Sequence, residues 1–142
     1  MSEANKQVAL NFIQAMSNAD RAAADACLAK DAFTDAKGFH KLAGIRRYDE
    51  IVGMIEAFKT LLPTGFRPDV KSVTAEGDRV AVEWEGNAVT RDGKAYCNQY
   101  CMVFTLKDGK IKQVNEYFCT KLAEEVLWPS VEKMQKEMPT LR

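Results

Sequence analysis

The chain has 142 residues, 46% of them hydrophobic and 9% aromatic, and its 20 Lys+Arg balance its 20 Asp+Glu. This is the composition of one globular domain, 1–142, able to bury about two thirds of its unfolded surface. Neutrality argues against nucleic acid as a partner, the lack of any run of ~20 apolar residues argues against a membrane span, and the polar opening Met1 to Gln7 argues against a signal peptide, so a cytoplasmic location is expected.

Val8, Ala9, Phe12, Ile13 and Met16 recur at helical spacing and predict a first helix with Lys6, Asn11 and Gln14 outward. Asp20 is placed to cap a second, Ala-rich helix from Ala22 to Leu28 by accepting a backbone N–H. Residues 31–47 lack clean periodicity: Asp31 to Asp35 read as a short strand, followed by a loop with Gly38, His40, Gly44, Arg46 and Arg47. A third helix carries the stripe Ile51, Val52, Ile55, Phe58 and Leu62, with Asp49 and Glu50 at its positive end and Pro63 at its stop.

After Pro68 the period changes from 3.6 to 2. Glu76-Gly77-Asp78, Arg91-Asp92-Gly93 and Lys107-Asp108-Gly109 are turn signals, so strands are expected at about 69–75, 79–90, 94–106 and 110–120, joined as a meander. The chain closes with a helical Lys121 to Leu127, then Trp128-Pro129 and an amphipathic tail through Met138. Helices first and antiparallel strands afterwards make an α+β domain with helices on one sheet face.

Four cysteines raise the question of disulfides or metal. Cys97 and Cys101 lie roughly 13 Å apart at ~3.3 Å per residue of strand, beyond the ~7 Å a disulfide tolerates. Cys27 and Cys119 make no zinc spacing, and the single histidine, His40, does not repair it. No metal is expected; the cysteines are structural or incidental, with a reactive thiol as the alternative.

Val80-Ala81-Val82-Glu83-Trp84-Glu85-Gly86, Asp92-Gly93-Lys94-Ala95-Tyr96-Cys97-Asn98-Gln99-Tyr100, Asp108-Gly109-Lys110-Ile111 and Asn115-Glu116-Tyr117-Phe118-Cys119-Thr120 resemble the nuclear transport factor 2-like superfamily. Within it the chain looks most like the SnoaL-like polyketide cyclases and ketosteroid isomerase-related proteins. The resemblance spans almost the whole chain and implies a cone: a curved antiparallel sheet, mixed at one edge, wrapped around three N-terminal helices, with a pocket at one end and a homodimer built through the sheet. The superfamily includes isomerases, epoxide hydrolases, cyclases, dehydratases and noncatalytic proteins, so the reaction does not follow from the fold.

Strand alternation sorts the candidates. Asn98, Tyr100, Met102 and Phe104 share one face, as do Val114, Glu116 and Phe118, and the resemblance turns both faces inward. It also points Glu83 and Glu85 inward; periodicity alone equally allows Val80, Val82 and Trp84 to pack inside with the two glutamates in solvent. Glu116, among apolar neighbours, should have a raised pKa suited to general acid or base work, and the resemblance to limonene epoxide hydrolases and phenazine-biosynthesis proteins puts a catalytic carboxylate there. The alternative is a structural glutamate bonded to Tyr100 or Asn98.

The resemblance also shows departures. Ketosteroid isomerases use a base, which Asp35 would match, with a tyrosine and a second acid, where this chain has Phe12 and Met102. Limonene epoxide hydrolases have aspartates matching Glu85 and Glu116, but their arginine matches Glu83, and their tyrosine and asparagine match Thr34 and Ala36. His40 is a loop residue at the pocket mouth or a surface histidine; Arg46 and Arg47 either meet an anionic substrate or are solvated charge. Tyr96, Tyr100 and Asn98 are polar handles in an aromatic cavity.

The catalytic candidates are therefore Glu116, Glu85 and Asp35; the substrate-contacting candidates are Asn98, Tyr100, Met102, Phe104, Phe118, His40 and Glu83. The expected function is acid/base catalysis, without cofactor or metal, on a small hydrophobic or polyketide-like molecule. The alternatives are a noncatalytic binding or dimerisation module and an epoxide hydrolase of the limonene type. A cavity of some 300 Å3 or more, with Glu116 exposed to it near Tyr100, would favour the enzyme over a cone plugged by Met102, Phe104 and Phe118. An outer sheet face with Cys97, Cys101, Val103, Tyr117 and, in one of the two orientations, Val80, Val82 and Trp84 suggests the homodimer.

Overall fold

The computed structural model describes residues 2–137. The element order is α1 (Ser2–Ser17), α2 (Arg21–Cys27), β1 (Leu28–Ala36), β2 (Gly44–Arg47), α3 (Tyr48–Leu61), β3 (Asp69–Glu76), β4 (Arg79–Val89), β5 (Ala95–Lys107) and β6 (Lys110–Phe118). A short α4 (Thr120–Leu122), a π-helical turn (Ala123–Leu127) and α5 (Trp128–Glu137) follow; Met138, the expected end of the tail, lies outside the described residues.

The six strands form one mixed sheet in the order β2-β1-β6-β5-β4-β3. β3 to β6 are the expected meander, and β1 joins β6 in parallel, the connection between them running through β2, α3 and the other meander strands. Register irregularities in β1/β6, β3/β4 and β5/β6 accompany the curl of the sheet. The sheet closes around the stripes of α1 and α3, where Ala9, Phe12, Ile13, Ile51, Val52 and Ile55 are buried. This is the cone.

Local chemistry explains the helix starts. Asp20 caps α2, its side chain accepting from the Ala23 N–H at 3.0 Å. Glu50 reaches back to the Arg47 N–H at 3.0 Å at the head of α3. β2 replaces part of the expected loop: four residues are too few to show a period, and the antiparallel pairing of Thr34 with Arg46 makes it a strand.

Register also fixes which face is inside. Residues directly opposite each other share a face, and the pairs Val80 with Phe104, Val82 with Met102 and Trp84 with Tyr100 put the apolar residues of β4 in the core. Val80, Val82 and Trp84 are at most 1% exposed. The intervening residues Glu83 and Glu85 lie opposite Cys101 and Gln99 on the outer face. Inward placement of these two glutamates is thereby corrected, because two unpaired carboxylates would displace a tryptophan and two valines from an apolar interior.

Candidate functional site

The cone holds a partly open cavity of about 110 Å3. Its floor comes from sheet residues that face inward together: Thr34 and Ala36 of β1, Arg46 of β2, Tyr96, Tyr100 and Met102 of β5, and Glu116 and Phe118 of β6. α1 and α3 supply apolar walls, among them Phe12, Met16 and Ile55, and the C-terminal helices add Leu127 and Val131.

Among the described residues lining this cavity, Glu116 is the only carboxylate and Arg46 the only cation. Glu116 sits between Met102 across one strand pair and Ala36 across the other. Burial pushes its carboxyl up to about 7, with Arg46 drawing it down and Asp35 pushing it further up. Among the described residues no side-chain donor hydrogen-bonds to it, because the two candidates for that role are engaged elsewhere.

Asn98, 1% exposed, donates to the Tyr96 hydroxyl at 2.9 Å and to the Cys119 carbonyl at 3.0 Å. Tyr100 donates to the Tyr96 hydroxyl at 3.1 Å. Tyr96 therefore accepts two hydrogen bonds and keeps its own hydroxyl hydrogen free to donate. Burial raises the pKa of Tyr96 and raises that of Tyr100 well above its ordinary value, so both stay neutral donors. Tyr100 is held in place by Trp84, stacked on it with ring centres 4.3 Å apart, and by Phe66 edge-on at 6.1 Å. Gly86 makes room for this cluster: a Cβ there would stand 3.2 Å from both the Phe66 and Trp84 rings.

Of the sequence candidates, the cavity thus brings together Glu116, Tyr100, Met102 and Phe118. Asn98 is inward but spent on Tyr96 and backbone, so it orients a tyrosine and does not line the cavity. Phe104 is fully buried deeper in the core, edge-on to Phe12 at 6.1 Å, and does not line it either.

Asp35 faces outward, as alternation with Thr34 and Ala36 requires, and pairs with Lys37 at 2.8 Å. Its placement as a base in the pocket is corrected. Glu83 accepts from Ser72 at 2.7 Å and Glu85 from Gln99 at 3.4 Å, both outside the cone. His40 shares a 2.9 Å hydrogen bond with the Lys37 carbonyl and accepts from the Leu42 N–H at 3.2 Å. It stiffens its loop and packs edge-on against Phe118 at 5.2 Å, behind the cavity wall instead of in it.

One contribution escaped the sequence reading, and one alternative it left open is divided between two residues. Leu127 and Val131 line the cavity from a tail whose apolar stripe gives no hint of its docking site. Arg46 faces in whereas Arg47 faces out over the Phe33 ring at 5.2 Å, a division visible only once β2 is paired.

Among the described residues no group of three or more His, Cys, Asp or Glu could hold a metal. No helix there is long and apolar enough to cross a membrane. Cys27, Cys97, Cys101 and Cys119 are free thiols.

A curled, open six-stranded sheet over helices, with its cavity at the Glu116 face, defines the nuclear transport factor 2-like class of cone-shaped proteins. A family model described as the SnoaL-like domain matches residues 9–114, and the chain belongs to that family. Bal32a, from a soil-derived mobile gene cassette, is 20% identical with a TM-score of 0.78, over 89% of this chain and 98% of Bal32a. An NTF2-like protein of Burkholderia xenovorans LB400 is 18% identical with a TM-score of 0.70, over 89% and 98% of the two chains. An epoxide hydrolase of Mycobacterium tuberculosis, LEH-like, is 20% identical with a TM-score of 0.72, over 97% and 98%. At these identities the likeness is one of fold. No curated protein matches the sequence.

Proposed function

We propose that the protein is a cofactor-independent acid/base enzyme, of isomerase, cyclase or hydrolase type, acting on a small hydrophobic molecule. The observation that carries this reading is a lone carboxylate, Glu116, on the wall of an apolar cavity, where burial pushes it up to about 7. Such a group is available as acid and as base near neutral pH. Glu116 takes a proton from an activated carbon or water, or delivers one to a leaving oxygen. The neutral Tyr96–Tyr100 pair donates to oxygen of the substrate, and the apolar walls hold it in a reactive conformer.

The cavity is smaller than the ~300 Å3 usual for a ligand site. A 150 Å3 engineered cavity takes benzene, so the 110 Å3 here suits about one ring, with the rest of a larger polyketide-like molecule at the mouth. The same volume is what favours a noncatalytic binding module as the second reading. For epoxide hydrolysis of the limonene type, the second carboxylate would have to be Glu85, which lies outside the cone.

Epoxide, polyketide and enone substrates offered to wild type and Glu116→Gln decide between catalysis and binding alone. The substitution is expected to lower kcat by a factor of about 100 or more and to abolish an inflection in the pH profile near 7. Equal turnover by both proteins removes Glu116 from the mechanism; binding without turnover by either supports the noncatalytic module.

We also propose a homodimer in the cytoplasm. The free thiols fit a reducing compartment, and the outer sheet face offers Cys97, Cys101, Val103 and Tyr117, the last 45% exposed. With Val80, Val82 and Trp84 inside, this patch is smaller than the sequence allowed. Sedimentation at micromolar concentration is expected to give twice the chain mass; a species of 15.9 kDa refutes the dimer.

A further inference from the structure

Arg46 is an unusual wall for an apolar cavity. Pairing with Thr34 turns it inward, and among the described residues its guanidinium has one acceptor, the Leu42 carbonyl, at 3.1 Å from Nη2. Among the described residues no carboxylate comes within ion-pair distance of it, Glu116 included, although the surface carries several such pairs. Arginine carries five N–H donors and stays charged at any physiological pH. The Leu42 bond fixes the plane of the fork and leaves the remaining donors to be met by something else.

That surplus has a sign. The Glu116 carboxyl is neutral for a large share of molecules near pH 7, so the cavity then holds one fixed positive charge and no negative one. A guanidinium in apolar surroundings is costly without an anion beside it. A planar carboxylate or enolate matches the fork geometry and supplies that anion.

We propose that the cavity takes a ring-sized apolar acid, whose anionic oxygen is held by Arg46 while its ring lies among Phe12, Ile55, Phe118 and Tyr100. The inference rests on the reading of this cavity as the site where Glu116 works, and gives that reading its substrate class. Arg46 thereby sets the orientation: the acidic oxygen points to β2, and the rest of the molecule extends across the floor towards Glu116. Arg47 and Lys37, outside the cone, take no part.

Calorimetric titration with benzoate, and with its neutral counterpart benzamide, tests this without needing turnover. Wild type is expected to bind benzoate about tenfold or more tightly than benzamide, the scale of a charge-assisted bidentate contact. Arg46→Gln should remove that preference, the two compounds then binding about equally. Arg46→Lys, which keeps the charge but not the fork, should retain only part of it, and serves if the glutamine variant fails to fold.

Glu116→Gln should keep or tighten benzoate binding, since it removes the competing negative charge. Equal affinity for benzoate and benzamide, an unchanged preference in both Arg46 variants, or no binding of benzoate at millimolar concentration each overturns the proposal. Loss of turnover in Glu116→Gln with no benzoate preference would leave Glu116 as the proton-transfer group and refute Arg46 as the anion anchor. The two ideas therefore fail separately.

Discussion

Glu116→Gln should make the protein more stable above neutral pH, and leave it unchanged in acid. A Glu116 carboxyl that ordinarily titrates at 4.5 titrates at about 7 in the folded chain. Below pH 4.5 both folded and unfolded chains carry the proton, and the full stability is present. Between 4.5 and 7 the folded state holds a proton that the unfolded chain has released, so stability falls as pH rises. At ~1.36 kcal/mol per unit, the gap between 4.5 and about 7 amounts to about 3 kcal/mol at most, less whatever water in the open cavity recovers. Glutamine has nothing to titrate, so its variant lacks this loss. Urea unfolding of both proteins at pH 4, 6 and 8 measures the difference directly. Curves that run parallel across that range would mean that the Glu116 carboxyl is not held in an apolar setting, and would remove the physical basis of its catalytic assignment.

Trp84→Ala should cost about 3 kcal/mol or more, the range for deleting a buried aromatic side chain. Trp84 is 1% exposed, stacks on Tyr100 and meets Phe66 edge-on at 5.9 Å. Among the described residues its indole N–H has no acceptor, so the contribution of the ring is packing and stacking. Loss of the ring frees Tyr100 to leave the Tyr96 hydroxyl, so the variant should also weaken ligand binding beyond its effect on stability. Glu83→Ala and Glu85→Ala, one residue either side, should each change stability by less than about 0.5 kcal/mol and leave activity intact. Thermal unfolding of the three variants checks the pattern. A larger loss at either glutamate than at Trp84 would invert the face assignment of β4.

That face assignment shows how far a sequence reaches. Alternation divides a strand into two sets and says nothing about which is inside when both sets have a reason to be. For β5 and β6 the resemblance made the choice, and Met102, Phe104 and Val114 are buried on that face. For β4 two carboxylates matched a known relative, and three large apolar residues matched the physics of a core. Opposition of Trp84 and Tyr100 across the strand pair decides for the core.

Glu116 was legible for the same reason that Glu85 was misleading: a carboxylate among apolar neighbours is informative only when those neighbours share its face. Asp35 failed that test, since its own neighbours Thr34 and Ala36 are the cavity lining. Asn98 was correctly turned inward, but the reach of a buried amide to the Tyr96 hydroxyl depends on a rotamer and leaves no trace in spacing. β2 is too short to have a period, and without it the different duties of Arg46 and Arg47 are hidden.

The parallel pairing of β1 with β6 has a consequence for synthesis on the ribosome. Phe33 lies beside Gln113, and Leu28 beside Ile111, so the strand that follows the second helix pairs early with β2 but gains its second neighbour only after most of the chain has emerged. Before then α3 has only the β1–β2 hairpin to lie on and α1 only β3 and β4, local pieces that form as soon as they are made but are not yet joined into one sheet. The two halves of the sheet therefore wait with the cone between them unfinished, and the last strand of the meander ends that exposure by joining β5 to the free edge of β1. Polypeptides stalled before residue 110 should accordingly be captured by chaperones, and those extended past the last strand released.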